Sequence, residues 1–302
     1  PKATPADALL QISGLDFQPY SGDVKQKYIR LTNTNDYALD ISGWKLMGAA
    51  EFTFLPGTVV PPSKDIYVSP HVKSFRARTE GPGGNQGLYV TGPWSGELSA
   101  RGGTLTLMDN KERWICEYPY SGSPNDLLQY LRITELMYHP LPNPPLWNNS
   151  DDFEYIELKN ISTDISLDLS GVSFTRGLTY TFPSGTTLAP QERIVLVKNK
   201  EAFCSRYGTH LRTMGPYTGS LSNSEEVIRL EDPQGEMILE FSYKDSWYPQ
   251  TDGLGYSLII ADENASWSDW GNSSQWGPSR LIYGNPGTDK TLPIDIPQIL
   301  IN

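Results

Sequence analysis

The chain contains one pattern of short segments twice, and this internal repeat constrains its fold more than any other feature. The segment Tyr-Ile-Arg-Leu-Thr-Asn, which begins at Tyr28, returns 127 positions later at Tyr155 as Tyr-Ile-Glu-Leu-Lys-Asn. An Asp-x-Ser-Gly turn at Asp40 returns 128 positions later at Asp168, and further along the chain the offset is 123. Because the offset drifts so little over a hundred positions, the pattern indicates a duplication with small changes in loop length. A feature that occurs in one copy only is therefore not part of the shared fold.

Each copy holds about seven short segments in which apolar and polar residues alternate, separated by turns rich in Gly and Pro. Alternation of this kind is typical of half-buried strands, and frequent turns are typical of antiparallel sheets. The sequence therefore predicts an all-β chain of two tandem antiparallel β-sandwiches. The predicted boundaries are 1–123 for the first sandwich, 124–290 for the second, and 291–302 for a linker and the start of a further domain. The predicted core residues are Ile29, Leu31, Leu105, Leu107, Ile156, Leu158, Ile228 and Leu230.

The two cysteines, Cys116 and Cys204, occupy unrelated positions in the two copies. Cys116 lies on a predicted strand whose inward side chains would be Trp114, Cys116 and Tyr118. We therefore expect a buried free thiol at Cys116 rather than a disulfide between the copies. Two cysteines in a chain of this length do not decide the redox compartment.

The formal net charge of −11, with a pI near 4.8, argues against a general nucleic-acid-binding protein, because such a protein needs a basic face. Arg76, Arg78 and Arg101 are the candidates for a local basic patch, although scattered surface cations are the preferred interpretation. No apolar run approaches the ~18 residues that a membrane-spanning helix needs. We therefore expect neither nucleic-acid binding nor membrane insertion.

Several motifs of the second copy occur together in one known family. They are an opening strand that ends at Glu135 before Leu-Met-Tyr, a Tyr-Ile-Glu-Leu strand from Tyr155, an Asp-Leu-Ser-Gly turn from Asp168, and a Trp-containing segment over 276–287 that ends in Gly-x-Pro-Gly. In this combination the chain resembles the lamin-tail domain family, and its bacterial branch most closely. The similarity covers about residues 125–290.

The first copy resembles the family less closely. It has Gly14 where the second has Glu135, it has Arg30 where the second has Glu157, and it lacks a counterpart of residues 252–289. For both copies the resemblance implies an immunoglobulin-like sandwich without catalytic machinery. It also implies an exported bacterial protein, secreted or held in the cell envelope. The expected function is a non-catalytic interaction or anchoring module that binds a protein or a surface glycan.

The side chains that carry chemistry do not form a recognisable catalytic set. His71, His139 and His210 occur in unrelated contexts, and no Cys or His spacing typical of a metal site or an activated nucleophile is present. Carboxylates cluster at 151–154 and at Glu225–Glu226, and loop carboxylates of this kind can bind calcium. Because no Asp-x-Asp-x-Asp spacing is present, solvated acidic loops are preferred and calcium is kept as an alternative. We expect no catalytic residue, no metal site and no other cofactor.

The best ligand-binding candidates are the aromatic residues of the C-terminal segment. They are Trp247, Trp267, Trp270 and Trp276. Exposed Trp rings stack on sugars, so a carbohydrate-binding module is the main alternative function. The preferred interpretation is that the rings pack across the open end of the sandwich. A third alternative is an accessory pair of domains in a larger hydrolase or kinase-like protein.

Overall fold

The computed structural model describes residues 9–290, and the predicted linker at 291–302 lies outside the described residues. The chain divides into two compact units. Residues up to Pro124, with Gln234–Glu236, form the first unit, and Asn125–Pro233, with the residues from Met237 onward, form the second. Each unit is built from mainly antiparallel sheets that enclose a core, so the predicted fold class of two tandem immunoglobulin-like β-sandwiches is confirmed.

The first unit contains a sandwich of two large sheets. Its described strands are β1 (Leu10–Asp16), β2 (Tyr28–Asn33), β3 (Leu39–Asp40), β4 (Lys45–Gly48), β5 (Ala50–Thr53), β6 (Val59–Val60), β7 (Asp65–Val68), β8 (Val90–Thr91), β9 (Ser95–Gly96), β10 (Gly102–Met108) and β11 (Trp114–Ser121). The strand order is β1-β2-β7-β8 in one sheet and β11-β10-β4-β5-β9 in the other, while β3 pairs with β6. A short helix, α1 (Val72–Arg76), follows β7.

The second unit repeats this plan and extends it. Its described strands are β12 (Leu131–Met137), β13 (Tyr155–Asn160), β14 (Leu167–Asp168), β15 (Ser173–Arg176), β16 (Tyr180–Thr181), β17 (Thr187–Leu188), β18 (Arg193–Val197), β19 (Thr213–Met214), β20 (Glu225–Glu231), β21 (Met237–Lys244), β22 (Leu258–Ile260) and β23 (Trp276–Pro278). The helices are α2 (Asp126–Tyr130) and α3 (Lys200–Tyr207). The large sheets have the orders β19-β18-β13-β12-β22-β23 and β16-β15-β20-β21, and β14 pairs with β17.

The extension changes the environment of the opening strand. In the first unit β1 is the last strand of its sheet, whereas in the second unit the corresponding β12 is covered by β22 and β23. Both added strands come from the part of the chain that has no counterpart in the first copy. The helices of the described chain are too short and too polar to span a lipid bilayer.

Alternate residues of the long strands form the cores, as the period of two predicts. All eight predicted core residues have no exposed surface. At about 25 cal/mol per Å² of apolar surface, a fully buried Leu or Ile contributes about 1.5–3 kcal/mol toward folding. The alternation in the sequence therefore identified the inward faces of the central strands correctly.

The prediction that Trp114 faces inward with Cys116 and Tyr118 is wrong, because β11 contains a bulge. Cys116 pairs with Leu107, but the next residue of β10 pairs with Trp114, so that Ile115 is the extra residue. A bulge of this kind inverts the alternation beyond it. Trp114 is consequently 61% exposed, whereas Cys116 and Tyr118 pack against the core.

The motifs that occur in both copies make the same contacts in each unit. The side-chain amide of Asn33 donates hydrogen bonds to three backbone carbonyls, and that of Asn160 does the same in the second unit. In the Asp-x-Ser-Gly turns, Asp40 and Asp168 each accept a hydrogen bond from the backbone N–H of the Ser two positions later, at 2.9 Å. The hydroxyl of the same Ser donates to each carboxylate as well, and this side-chain hydrogen bond, helped by the backbone one, holds the pKa of both carboxyls below the ordinary value. The repeated residues are therefore structural.

Candidate functional site

The first unit carries an open groove of about 560 Å³ where β4, β5 and β9 meet. Met47 of β4 is 41% exposed, and the half-buried ring of Trp94, which precedes β9, forms part of the same lining. The polar part of the lining includes Lys45, Glu51 and Thr53, which lie on the same two neighbouring strands. The groove therefore offers an apolar contact surface with a cation and an anion beside it.

The aromatic ring at the position of Trp94 is buried in the second unit. Tyr217, which corresponds to Trp94, is only 4% exposed, and its hydroxyl donates a hydrogen bond to Glu154 Oε2 at 2.8 Å. The first unit has Lys27 where the second has Glu154. Lys27 is buried as Glu154 is, and its ammonium donates a hydrogen bond to the Leu98 backbone carbonyl at 2.9 Å. Trp94 instead packs its ring against the edge of the core and keeps part of it in the groove.

Glu154 is a buried carboxylate with an unusual environment. Its Oε2 accepts hydrogen bonds from Tyr217 and from the backbone N–H of Leu221 at 3.0 Å, while its Oε1 has no hydrogen-bond partner. Burial raises the pKa of Glu154 to about 7 against the opposing effect of these hydrogen bonds. The carboxylates predicted to cluster at 151–154 therefore do not act together. Glu154 points into the unit, whereas Asp152 accepts a hydrogen bond from the side chain of Asn199 at 3.1 Å.

The opening strands of the second unit bring two further carboxylates together in its interior. Glu135 of β12 and Glu157 of β13 are cross-strand partners, and neither is exposed. The Lys290 ammonium contacts Glu135 Oε2 and lies 2.9 Å from Glu157 Oε1. The hydroxyls of Tyr155 and Ser257 donate to Glu135 Oε1 at 2.5 and 2.6 Å. We call Glu135, Glu157 and Lys290 the buried charge centre.

Both carboxylate oxygens of Glu157 have hydrogen-bond or ion-pair partners. Thr134 donates to its Oε1 at 2.6 Å, the backbone N–H of Gly287 donates to its Oε2 at 2.5 Å, and Arg193 Nε lies 3.3 Å from Oε1. Burial raises the pKa of Glu157, and the Lys290 ammonium opposes that rise. Because ions removed from water must be paired, this arrangement accounts for two carboxylates on neighbouring strands in an apolar interior.

The buried charge centre has no counterpart in the first unit. At the matching register of β1 and β2, Gly14 pairs with Arg30. The Arg30 guanidinium turns back onto Ser13, donating to its carbonyl at 3.0 Å and to its hydroxyl at 3.1 Å. The sequence comparison showed both replacements, but it had no signal for the position of Lys290.

Two of the four aromatic candidates for ligand binding are buried. Trp270 is unexposed and donates through Nε1 to the Ile133 carbonyl at 2.9 Å, and Trp276 is 1% exposed and donates to the Trp270 carbonyl at 2.7 Å. Neither ring can present a flat face to a sugar, because each fills the interior of the second unit. Trp247 and Trp267 are half-buried. The four rings therefore do not form the exposed patch that the alternative function requires.

The histidines and cysteines lie apart. His71 accepts a hydrogen bond from the backbone N–H of Ser74 at the start of α1, His139 Nδ1 lies 2.7 Å from an Asp252 carboxylate oxygen, and His210 is exposed. Both cysteines are free, and burial raises the pKa of the half-buried Cys116 thiol. Within residues 9–290 no group of three or more His, Cys, Asp or Glu side chains converges as a metal site would require.

The remaining charged candidates have local partners. The Arg78 guanidinium lies 2.6 Å from an Asp16 carboxylate oxygen, and only 5% of the Arg78 side chain is exposed. Arg78 thus belongs to the packing of the first unit, while Arg76 is exposed and Arg101 is half-buried. Glu225 forms an exposed ion pair with Lys244 at 3.2 Å, and Glu226 accepts a hydrogen bond from the backbone N–H of Ser222 at 2.8 Å.

Sequence patterns did not predict the groove. Glu51 is a common surface residue, a single Met47 gives no pattern that marks it as exposed, and only the Trp-for-Tyr difference between the copies marks Trp94 as unusual. The signal in the sequence is the replacement of an aromatic residue and its partner at matching positions of the two copies, Trp94 with Lys27 in the first and Tyr217 with Glu154 in the second.

Comparisons with known proteins bear on the family. The family model described as Lamin Tail Domain matches residues 3–122 and again residues 128–245. A comparison with curated proteins gives no match. Among solved structures, the chain is similar to the S-layer protein SbsC, domains 7, 8 and 9, at 13% identity and a TM-score of 0.18, over 80% of this chain and 62% of that chain. It is also similar to the YadV chaperone, at 10% identity and a TM-score of 0.17, over 72% of this chain and 90% of that chain.

The two structural similarities are too weak to bear on function. The chain spans 62% of the length of the S-layer chain that it matches. The family matches, in contrast, account for most of the chain and coincide with the two copies of the repeat. The chain therefore belongs to the lamin tail domain family and carries two tandem copies of its domain.

Proposed function

We propose that the chain is a non-catalytic interaction module of an exported bacterial protein, secreted or held in the cell envelope, and that it anchors or spaces a larger polypeptide. Membership of a family of interaction domains supports this proposal. The observation that carries it is the groove of the first unit, where Met47 and Trp94 remain accessible, whereas Tyr217, the counterpart of Trp94, is buried in the second unit. The partner is a protein, and the groove is its contact surface.

The shape and chemistry of the groove suit a peptide segment of a partner protein. Trp is enriched among the residues that dominate binding energy, and Met adapts its shape to different apolar side chains. The volume of about 560 Å³ lies within the range of small binding pockets. We propose that one large apolar side chain of the partner packs against Met47 and Trp94. Lys45 and Glu51 would then select polar groups beside it.

The test is the capture of envelope proteins by the immobilised full chain. We expect Trp94→Ala to weaken capture of the bound protein by roughly 30-fold, the loss of about 2 kcal/mol that is typical of a central interface residue. Trp114→Ala is the matched control, since Trp114 is an exposed tryptophan of the same unit that does not line the groove. Circular dichroism of both variants checks the fold. Equal capture by the Trp94→Ala variant and the parent chain would contradict the proposal.

A glycan array separates this proposal from the carbohydrate alternative. Binding of a glycan that disappears in Trp247→Ala or Trp267→Ala, and persists in Trp94→Ala, would replace a protein partner with a carbohydrate. The burial of Trp270 and Trp276 already removes half of the rings on which that alternative relied. An accessory role beside a hydrolase or kinase-like domain stays a prediction, and the full-length gene sequence tests it.

A further inference from the structure

The buried charge centre of the second unit holds a primary amine against a carboxyl group in a closed interior. Glu135 and Glu157 are unexposed, and only 1% of the Lys290 side chain is exposed. The amine has the two carboxylates and the Asn285 backbone carbonyl, at 3.0 Å, as its polar neighbours.

The two oxygens of Glu135 have different surroundings. Oε2 faces the Lys290 amine. Oε1 accepts three hydrogen bonds, from the hydroxyl of Tyr155 at 2.5 Å, from the hydroxyl of Ser257 at 2.6 Å, and from the backbone N–H of Asn285 at 2.9 Å. Three fixed donors on one oxygen are the arrangement that stabilises the negative oxygen of a tetrahedral intermediate in acyl transfer.

We propose that Lys290 and Glu135 become joined by an amide bond, which links the opening strand of the second unit covalently to its exit segment. In this step a proton passes from the Lys290 ammonium to Glu135 Oε2, which leaves a neutral amine beside a carboxylic acid. The Nζ–Cδ bond forms, and negative charge develops on Oε1 against its three donors. Glu157 takes a second proton from the nitrogen and returns it to Oε2. The Cδ–Oε2 bond then breaks and one water leaves, so no oxidant, reductant or activating group is consumed.

Two properties of the interior favour this condensation. Well-oriented intramolecular partners react as if each were present at roughly 10⁵–10⁸ M. Exclusion of water disfavours the charged pair relative to the neutral amine and acid. The raised pKa of Glu157 suits a group that must carry a proton and release it.

The first unit is an internal comparison for this chemistry. Gly14 and Arg30 occupy the positions of Glu135 and Glu157, so the first unit has neither carboxyl group at this register. The proposed bond is therefore confined to the second unit. It is independent of the function proposed for the groove, because it depends on the interior of a different unit.

The test is the intact mass of the purified, folded full chain. We expect the parent chain to be lighter than its sequence mass by one water, and the Lys290→Arg variant to have its full sequence mass. Arginine keeps the positive charge but supplies no nucleophilic amine. Tandem mass spectrometry of a tryptic digest is expected to identify one branched peptide that joins Glu135 to Lys290.

Each contrary result has a clear meaning. A folded parent chain at its full sequence mass would overturn the proposal. A loss of water that persists in Lys290→Arg would also overturn it, because the loss would then come from another residue, such as succinimide formation at Asp252-Gly253. In Glu157→Gln we expect the bond to form roughly 100-fold more slowly, the usual effect of removing an acid–base group. An unchanged rate would overturn the role of Glu157. If Glu157→Gln fails to fold, the intact mass of the parent chain still tests whether the amide bond forms.

Discussion

Replacement of Glu154 by Gln should remove a pH-dependent loss of stability from the second unit. Burial raises the pKa of this carboxyl from its ordinary value of 4.5 to about 7, so the folded state binds the proton more tightly than the unfolded state. The stabilisation from this group is fully present below about pH 4.5 and is lost as the pH rises through about 7. At about 1.4 kcal/mol per pKa unit, the total loss is about 3 kcal/mol.

The Gln side chain does not titrate, and its amide oxygen can still accept the hydrogen bonds from Tyr217 and Leu221. The variant and the parent chain can differ in their free energy of unfolding at pH 4. Between pH 4 and pH 8 we expect this difference to shift by about 3 kcal/mol in favour of Glu154→Gln. The control is Glu225→Gln, which removes an exposed ion pair and should change stability by less than about 1 kcal/mol.

The measurement is urea unfolding of the full chain at a series of pH values. Hydrogen exchange of peptides from β12 and β13, read by mass spectrometry, follows the second unit separately from the first. We subtract the free energy of unfolding of the parent chain from that of Glu154→Gln at each pH. The other titratable groups are the same in both proteins, so their contribution drops out of this difference. A difference that stays constant within about 0.5 kcal/mol from pH 4 to pH 8 would refute the reasoning, because the carboxyl would then titrate alike in the folded and unfolded states.

Three further predictions concern packing and reactivity. Asn160→Ala should destabilise the second unit by about 2–4 kcal/mol in urea unfolding, because it leaves three backbone carbonyls without their donor. Trp270→Ala should cost about 3–5 kcal/mol without weakening partner capture by the groove, and a specific loss of binding at unchanged stability would contradict its core position. The Cys116 thiol should react with iodoacetamide at pH 8 more slowly in the folded chain than in urea, since burial raises its pKa; equal rates would show that the thiol is accessible.

The fold was predictable because its evidence is local and occurs twice. The alternation around Ile29 and Leu31, and again around Ile156 and Leu158, identifies two half-buried strands at the same offset. The direction of Trp114 was not predictable in this way. A one-residue bulge leaves no distinctive mark in the sequence, yet it makes the alternation of side chains on one side of it the reverse of that on the other.

The candidate sites were less predictable because they depend on residues far apart in the chain. Glu135 and Lys290 are 155 positions apart, and no spacing rule connects an opening strand to an exit segment. The burial of two of the four aromatic candidates was unpredictable for a related reason, since the number of Trp residues does not reveal which rings are covered. Trp270 and Trp276 complete a core that β22 and β23 enlarge, so they are part of the extension's own packing.

The buried charge centre has a practical consequence for where the second domain ends. The family match stops at residue 245, but the amine that balances Glu135 and Glu157 is supplied at residue 290. A protein truncated at the family boundary would keep both acids in its interior and lose the Lys290 amine, so that Arg193 beside Glu157 would be left as the nearby cation, and it would also lose two strands of the larger sheet. Expression trials that follow the family limits should therefore yield aggregated material, whereas trials that run through Lys290 should yield a folded second domain.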